Sequence, residues 1–263
     1  MPKVDGVGYS NSTYLKIEDL SRIFAMHLAI TKAVLVKHGN LYQQRYRYID
    51  LTAGKGFTPN GLRGSPLIFL EQVESDKVKI PYRADLIECK EKNINELKLA
   101  ILTEANKLDW KGGEIEYHLG RYQSVIPSLL NEKCTNEMGL FFVDPSGDLP
   151  DFDILGLIAD LRPRMEILIY VSSTNIKRLY KHQEKRLTDY LEKVSKQHWL
   201  IRQPISWDQF KWTILLGSNS SLFRDYKKIN FLRLESEGGQ KILEKLNLTK
   251  IEQMERHQLK LFE

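Results

Sequence analysis

Apolar residues recur at three- and four-residue spacing through Ile17, Leu20, Ile23, Phe24, His27, Leu28, Thr31, Val34 and Leu35. That period predicts a helix over residues 16–35, stopped by Gly39 and Asn40. A short apolar stretch ending Tyr48-Ile49-Asp50-Leu51 then reads as a strand that runs into a glycine-rich turn. Ser65 and Pro66 open the next helix, with Ser65 as its N-cap. Residues 82–88 give a second strand, residues 92–106 a helix carrying Ile94, Leu97, Leu99, Ile101 and Leu102, and residues 114–119 a third strand after Gly112 and Gly113. Residues 139–143 are almost wholly apolar, as a central parallel strand covered on both faces should be.

Further on, residues 153–161 read as a helix, 166–171 as a strand and 176–182 as a basic helix. Residues 199–202 and 210–216 read as a strand pair, and 241–260 as a final helix rich in Lys and Glu. Strands alternating with helices predict a mostly parallel α/β sheet with helices on both faces, closed by an antiparallel edge hairpin. Residues 1–15 form an expected flexible arm, and 16–263 a single domain ending in the C-terminal helix.

Composition narrows the setting without naming a task. The 263 residues are 42% apolar and 28% charged, ordinary for a soluble α/β chain. A net charge of +5, from 39 basic and 34 acidic residues, permits a nucleic-acid partner without demanding one. Cys89 and Cys134 have neither C-x-x-C nor metal-ligand spacing, so reduced thiols in a cytoplasmic protein, and no metal, are expected. The amino terminus lacks the apolar core of a signal peptide, and no apolar run approaches the roughly twenty residues of a membrane span.

The stretch Tyr48-Ile49-Asp50-Leu51-Thr52-Ala53-Gly54-Lys55-Gly56 carries the first chemical signal. A strand ending in Asp50 delivers Ala53, Gly54 and Gly56, which carry little or no side chain and let a ligand lie against main chain. Neither the dinucleotide pattern G-x-G-x-x-G nor the triphosphate loop G-x-x-x-x-G-K-S/T fits. Glu88 ends the second strand, where a carboxylate can accept hydrogen bonds from two ribose hydroxyls. Asp144-Pro145-Ser146-Gly147 leaves the central apolar strand toward the same edge. Lys177, Arg178, Lys181, Lys185 and Arg186, with Tyr180 and Tyr190 among them, form the densest basic and aromatic cluster, a combination suited to phosphates and bases, although a solvated helix face has the same look.

Asp50-Leu-Thr-Ala-Gly-Lys-Gly56 resembles the D-x-x-A-G-x-G first motif of Rossmann-like, class I S-adenosylmethionine-dependent methyltransferases. Gly64-Ser65-Pro66-Leu67-Ile68 and Phe141-Phe142-Val143-Asp144-Pro145-Ser146-Gly147, in this order, resemble signatures of the three-Cys-motif partner protein family. The resemblance covers roughly residues 25 to 245. It implies S-adenosylmethionine as cofactor, with Asp50, Thr52, Ala53, Gly54, Gly56 and Glu88 around it and Lys32 near its methionine end. It also implies that the loop before Gly64 lies over the site, making Arg63 a phosphate or carboxylate contact. Methyltransferases commonly put an acid against the adenine after the third strand; here Gly120 is followed by Arg121 and Tyr122, so adenine recognition is expected to fall to backbone groups or to these two side chains. Asp144, Pro145 and Ser146 are the implied catalytic residues. Amino methyltransferases use D/N-P-P-Y/F at this point, whereas Gly147 stands here for the stacking aromatic.

The resulting expectation is a methyltransferase acting on nucleic acid, with an amine as the favoured target and Arg63, Lys177, Arg178 and Lys181 as substrate contacts. Two alternatives stay open: a non-catalytic nucleic-acid or protein-partner subunit on the same fold, and a methyltransferase for a protein or small molecule.

Overall fold

The structure is a computed structural model that describes residues 3–4, 7–8, 11–75, 80–110, 112–145, 148–177, 186–204 and 212–247. It is an α/β protein with an eight-stranded, mostly parallel sheet and an antiparallel edge. The chain divides into two compact units, residues 1–142 and 143–263.

In the first unit β1 (Lys3–Val4) and β2 (Val7–Gly8) form a small antiparallel pair. Then follow α1 (Asn11–His38), β3 (Tyr46–Asp50), α2 (Ser65–Val73), β4 (Tyr82–Glu88), α3 (Glu91–Leu108), β5 (Glu114–Leu119), α4 (Tyr122–Leu129) and β6 (Met138–Val143), whose last residue opens the second unit. The helix expected from residue 16 therefore starts earlier, at Asn11. The parallel strands run in the order β6-β3-β4-β5, with Asp50 opposite Phe142 on one side and Leu86 on the other. All five residues of β3 are buried, as a central strand covered on both faces requires.

Side-chain alternation gives that sheet two unlike faces. Tyr46, Tyr48 and Asp50 share one of them. Tyr48 stacks on Phe69 of α2 at 4.0 Å between ring centroids, and Phe24 of α1 meets Tyr48, Phe69 and Phe142 edge-on at 5.5, 5.9 and 6.1 Å. On the opposite face the buried Arg47 donates through Nε to Asp85 (3.0 Å) and through Nη1 to both oxygens of Glu137 (2.9 and 3.0 Å). Arg83 and His118 also donate to Asp85. Burial alone would raise the Asp85 carboxyl, but the bonds from His118 and Arg83 outweigh it and hold the group well below the ordinary range.

The second unit contains α5 (Phe152–Leu161), β7 (Met165–Ser172), β8 (His198–Arg202), β9 (Trp212–Ser218) and β10 (Phe231–Arg233). Its strands run in the order β10-β8-β9-β7, with every pairing antiparallel. The expected strand pair thus exists as β8 and β9, and β10 adds a strand that periodicity did not single out. Asp151 caps α5 by accepting from the backbone of Asp153 and Ile154. Of the expected basic helix, only residues through Lys177 are described, in a helical turn beginning at residue 173. Of the expected final helix, Glu237–Asn247 is described. Among the described residues no helix is long and apolar enough to cross a membrane.

Candidate active site

β3 ends at Asp50 because its carboxylate converts the strand into the turn. Oδ1 accepts from the backbone of Thr52 (3.0 Å), and Oδ2 accepts from the hydroxyls of Tyr48 (2.8 Å) and Ser65 (2.6 Å). Asp50 is fully buried, so it acts by shaping the turn. Ser65 is not the N-cap: Gly64 holds that position with extended backbone and no side-chain cap bond, and the Ser65 hydroxyl is committed to Asp50. The neighbouring carboxylate has a second effect. Burial, reinforced by the charge of Asp50, pushes the Tyr48 phenol far above its usual range.

Ala53 is buried and its backbone donates to Ile87 (2.9 Å), tying the turn to β4. The two glycines that follow do different work. Gly54 has φ +67°, and a Cβ placed there would have no atom of the described residues within 4 Å, so its bare backbone faces open space. Gly56, with φ +86°, has no such space: a Cβ would lie 2.7 Å from Cβ of Ala100 and 3.4 Å from Leu97. Gly56 lets the turn pack against α3, and its carbonyl accepts from Gly64 (2.6 Å), closing the loop. It was expected as a ligand contact; the close packing gives it a structural task.

The carboxylate of Glu88 stands at the end of β4 beside this turn. Oε2 accepts from the backbone of Gly54 (3.1 Å), while Oε1 accepts from the backbone of Lys90 (2.9 Å), from Nδ2 of Asn93 (3.2 Å) and weakly from the Cys89 thiol (3.5 Å). One end of the group therefore organises the start of α3. The other has taken a single donor and keeps capacity for one more, since each carboxylate oxygen offers two lone pairs. Neither Asn93 nor Ser65 was singled out from sequence for these roles.

After β5, Gly120 donates its backbone N–H to the carbonyl of Glu88 (3.0 Å). Arg121 is then exposed and Tyr122, the first residue of α4, is buried. The turn, Glu88 and this loop thus share the carboxyl edge of β3, β4 and β5.

Two expected contacts lie elsewhere. Arg63 donates through Nε to Glu104 (3.0 Å) and through Nη1 to Glu71 (2.9 Å), and Nη2 also pairs with Glu104. Its planar fork is filled by internal carboxylates, so it fastens its loop to α2 and α3 rather than presenting a cation to ligand; the same contact lowers the Glu104 carboxyl. Lys32 is half-buried on α1. Phe24 packs on Tyr48, and the Tyr46 hydroxyl meets Nδ1 of His27 at 2.7 Å, so α1 runs antiparallel to β3. Lys32 is more than one turn beyond His27, toward the amino end of the sheet and away from the glycine turn. The first turns of α1 point toward the carboxyl edge instead.

In the second unit Asp144 and Pro145 follow β6 and are half-buried. Ser146 and Gly147 lie outside the described residues, as do Arg178 and Lys181; Lys177 is half-buried at the end of the helical turn after β7. Asn175, in that turn, donates to the carbonyl of Asp148 (2.8 Å). Tyr170 near the carboxyl end of β7 stacks on Trp212 at the start of β9, 5.5 Å between centroids and 28° between planes. Burial, and then the charge of Asp144, raises the Tyr170 phenol well above its ordinary range, so it keeps its proton at neutral pH. Neither ring was a candidate from sequence.

Asp85, Glu116 and His118 bring metal-ligand atoms within 4.8 Å of one another on the charged face of the first unit. Asp85 already accepts from two guanidinium groups and His118, so an ion-pair network accounts for that set.

No family model matches the chain, and no curated protein matches it in sequence. Solved structures do resemble it. A spermidine synthase in complex with the transition-state analogue AdoDATO is 13% identical, with a TM-score of 0.50 over 96% of this chain and 79% of that one. A Legionella pneumophila protein scores 0.49 at 13% identity, over 85% of this chain and 92% of its own. A SAM-dependent methyltransferase from Agrobacterium tumefaciens scores 0.45 at 9% identity, over 81% of this chain and 64% of that one. At such identities a likeness concerns the fold alone. The fold of this chain is Rossmann-like, a mostly parallel sheet with an antiparallel edge.

Proposed function

We propose that the protein is a cytoplasmic S-adenosylmethionine-dependent methyltransferase, akin to the three-Cys-motif partner proteins, that methylates an amine of a nucleic acid. The observation that carries the reading is the Gly54 turn: backbone held at φ +67°, open space where a side chain would stand, and the Glu88 carboxylate bonded to the same N–H. These features suit a ligand that lies on main chain and offers hydroxyl donors. Glu88 Oε2 would accept from the ribose, Thr52 and Gly54 would line the methionine portion, and Arg121 and Tyr122 would border the adenine.

When bound, the cofactor supplies an activated methyl group on a sulfonium that leaves without covalent help. The chain's own contribution is then alignment and charge. Asp144 would accept a hydrogen bond from the target amine and fix its lone pair toward the methyl carbon, with the Pro145 carbonyl as a second acceptor. Lys177, with Arg178 and Lys181, would hold the phosphate backbone.

The test is incubation of the purified protein with methyl-labelled S-adenosylmethionine and separate DNA, RNA and protein pools. Label is expected in a nucleic-acid pool. Label in protein alone, or in no pool, overturns the reading. A non-catalytic subunit is the second reading, favoured by Gly147 standing where amino methyltransferases carry an aromatic ring.

A further inference from the structure

β5 closes the sheet on one side, and among the described residues no strand pairs with its outer edge. The direction of its backbone groups is fixed. Gly120 donates inward to the carbonyl of Glu88, and alternate residues of a strand turn their N–H and C=O to opposite sides, so Ile115, Tyr117 and Leu119 turn theirs outward. An edge of this kind is a template for another strand, and native chains blunt it by shortness, proline or charge. β10, at the far edge, is three residues long. β5 is six residues long and contains no proline.

Nor do its charges guard it. Glu114, Glu116 and His118 lie on one row of the strand and are engaged inside their own copy, the two glutamates with Arg83 and the imidazole with Asp85. The other row, Ile115, Tyr117 and Leu119, is apolar, and Leu119 is 53% exposed. Lys98 of α3 places Nζ 5.3 Å from the centroid of the Tyr117 ring, so this row lies on the α3 side. Leu102, one turn further along α3, is exposed as well and extends the apolar surface.

We propose that β5 is a homodimer interface, in which two copies pair their β5 strands antiparallel about a two-fold axis at Tyr117 and continue one sheet through both. An axis perpendicular to the sheet sets each row opposite its own kind, so the registers differ only in the residue at the centre. Centring on Glu116 sets two Glu116 carboxylates against each other, and centring on Ile115 sets Glu114 against the partner's Glu116; like charges directly opposite are destabilising. Centring on His118 carries Ile115 past the end of the partner strand. Centring on Tyr117 sets Ile115 against the partner's Leu119, Tyr117 against the partner's Tyr117, and Glu116 against the partner's His118, an acid against a base. Every outward residue of the strand then exchanges both backbone bonds with its opposite number. The pairing does not rest on the methyltransferase reading.

Sedimentation velocity of the full protein over a concentration series tests the interface, and the unaltered protein should be dimeric at about 100 µM. Leu119→Lys puts a charge on the apolar row at an exposed position; it should weaken the dimer about tenfold or more with an unshifted thermal midpoint. Tyr117→Cys places two thiols at the axis, where facing Cα atoms of a hydrogen-bonded pair stand about 5.5 Å apart. A short bis-maleimide should then yield covalent dimer well beyond what Cys89 and Cys134 give in the unaltered protein. An unaltered protein that stays monomeric at that concentration overturns the proposal and leaves the edge to a strand of another chain. In a dimeric protein, undiminished association of folded Leu119→Lys, or no added cross-link in folded Tyr117→Cys, overturns it in favour of another surface. Should Tyr117→Cys not fold, Leu119→Lys decides alone.

Discussion

The two units carry their chemistry in opposite ways. In residues 1–142 the polar groups of the carboxyl edge are buried and hydrogen-bonded within the fold: Asp50 accepts from Tyr48, Thr52 and Ser65, Glu88 accepts from Gly54, Cys89, Lys90 and Asn93, and the Arg47 network lies under the same strands. In residues 143–263 the corresponding groups, Asp144, Tyr170 and Trp212, are half-buried and keep accessible surface. On the proposed reading, a cofactor of one shape can be met by a preformed turn, while a target has to enter and leave. The comparison teaches that changes in the first unit should move stability and cofactor binding together, and changes in the second should move turnover or target binding with the fold intact.

The largest effect should come from the wiring itself. Arg47→Ala leaves Asp85 and Glu137 as buried carboxylates short of their shared partner, and breaking such a set costs about 3–5 kcal/mol. Denaturant unfolding checks this, and a loss under about 1 kcal/mol would show that the network contributes little. The same network sets an acid limit. The folded Asp85 carboxyl is held below its unfolded value of about 3.9, so its contribution is complete above that pH, begins to fall below it and is lost as pH falls through the lower folded value. The thermal midpoint should therefore drop below about pH 4, and Asp85→Asn should flatten that drop even though it lowers stability at neutral pH.

Asp144→Ala probes the other side of the comparison. Methyl transfer should fall by on the order of a hundredfold, since misplacing a reactant by about 1 Å can cost that much, with thermal midpoint and cofactor affinity nearly unchanged. If Asp144 only shapes its turn, stability falls by about 0.5–2 kcal/mol and turnover per folded molecule stays constant. Glu88→Ala should have a smaller effect on binding, a loss of about tenfold in cofactor affinity from one charge-assisted bond of about 1.5–3 kcal/mol partly replaced by water. An unchanged dissociation constant would place the ribose contact elsewhere.

The strands and the glycine turn were legible because they depend on local pattern. Short apolar runs mark β3 and β6, and a run of small residues after Asp50 marks main chain that something can approach. What each side chain then bonds depends on neighbours far along the chain. Ser65 looks like a helix cap until Asp50 lies within 2.6 Å of it, and Arg63 looks like an open cation until Glu71 and Glu104 close on its fork. Gly56 could be taken for a ligand contact because periodicity does not say that α3 packs against it. Lys32 was misplaced for a related reason: helical spacing gives a face but not a direction along the sheet, which required the pairs of Phe24 with Tyr48 and His27 with Tyr46. One link was readable in principle, since Tyr48 and Asp50, two apart on a strand, must share a face. The stacked Tyr170 and Trp212 were not, because their register depends on the β7 and β9 pairing.

The central claim is that the Gly54 turn receives S-adenosylmethionine, and calorimetric titration of the cofactor into the unaltered protein and Gly54→Val tests it most directly. A valine there fills the open space and forces a β-branched residue into a left-handed backbone, at roughly 1–2 kcal/mol of strain, so the thermal midpoint is recorded on the same samples. The account predicts saturable binding to the unaltered protein and none to the folded variant. No binding to the unaltered protein, or equal binding to the folded variant, would contradict it.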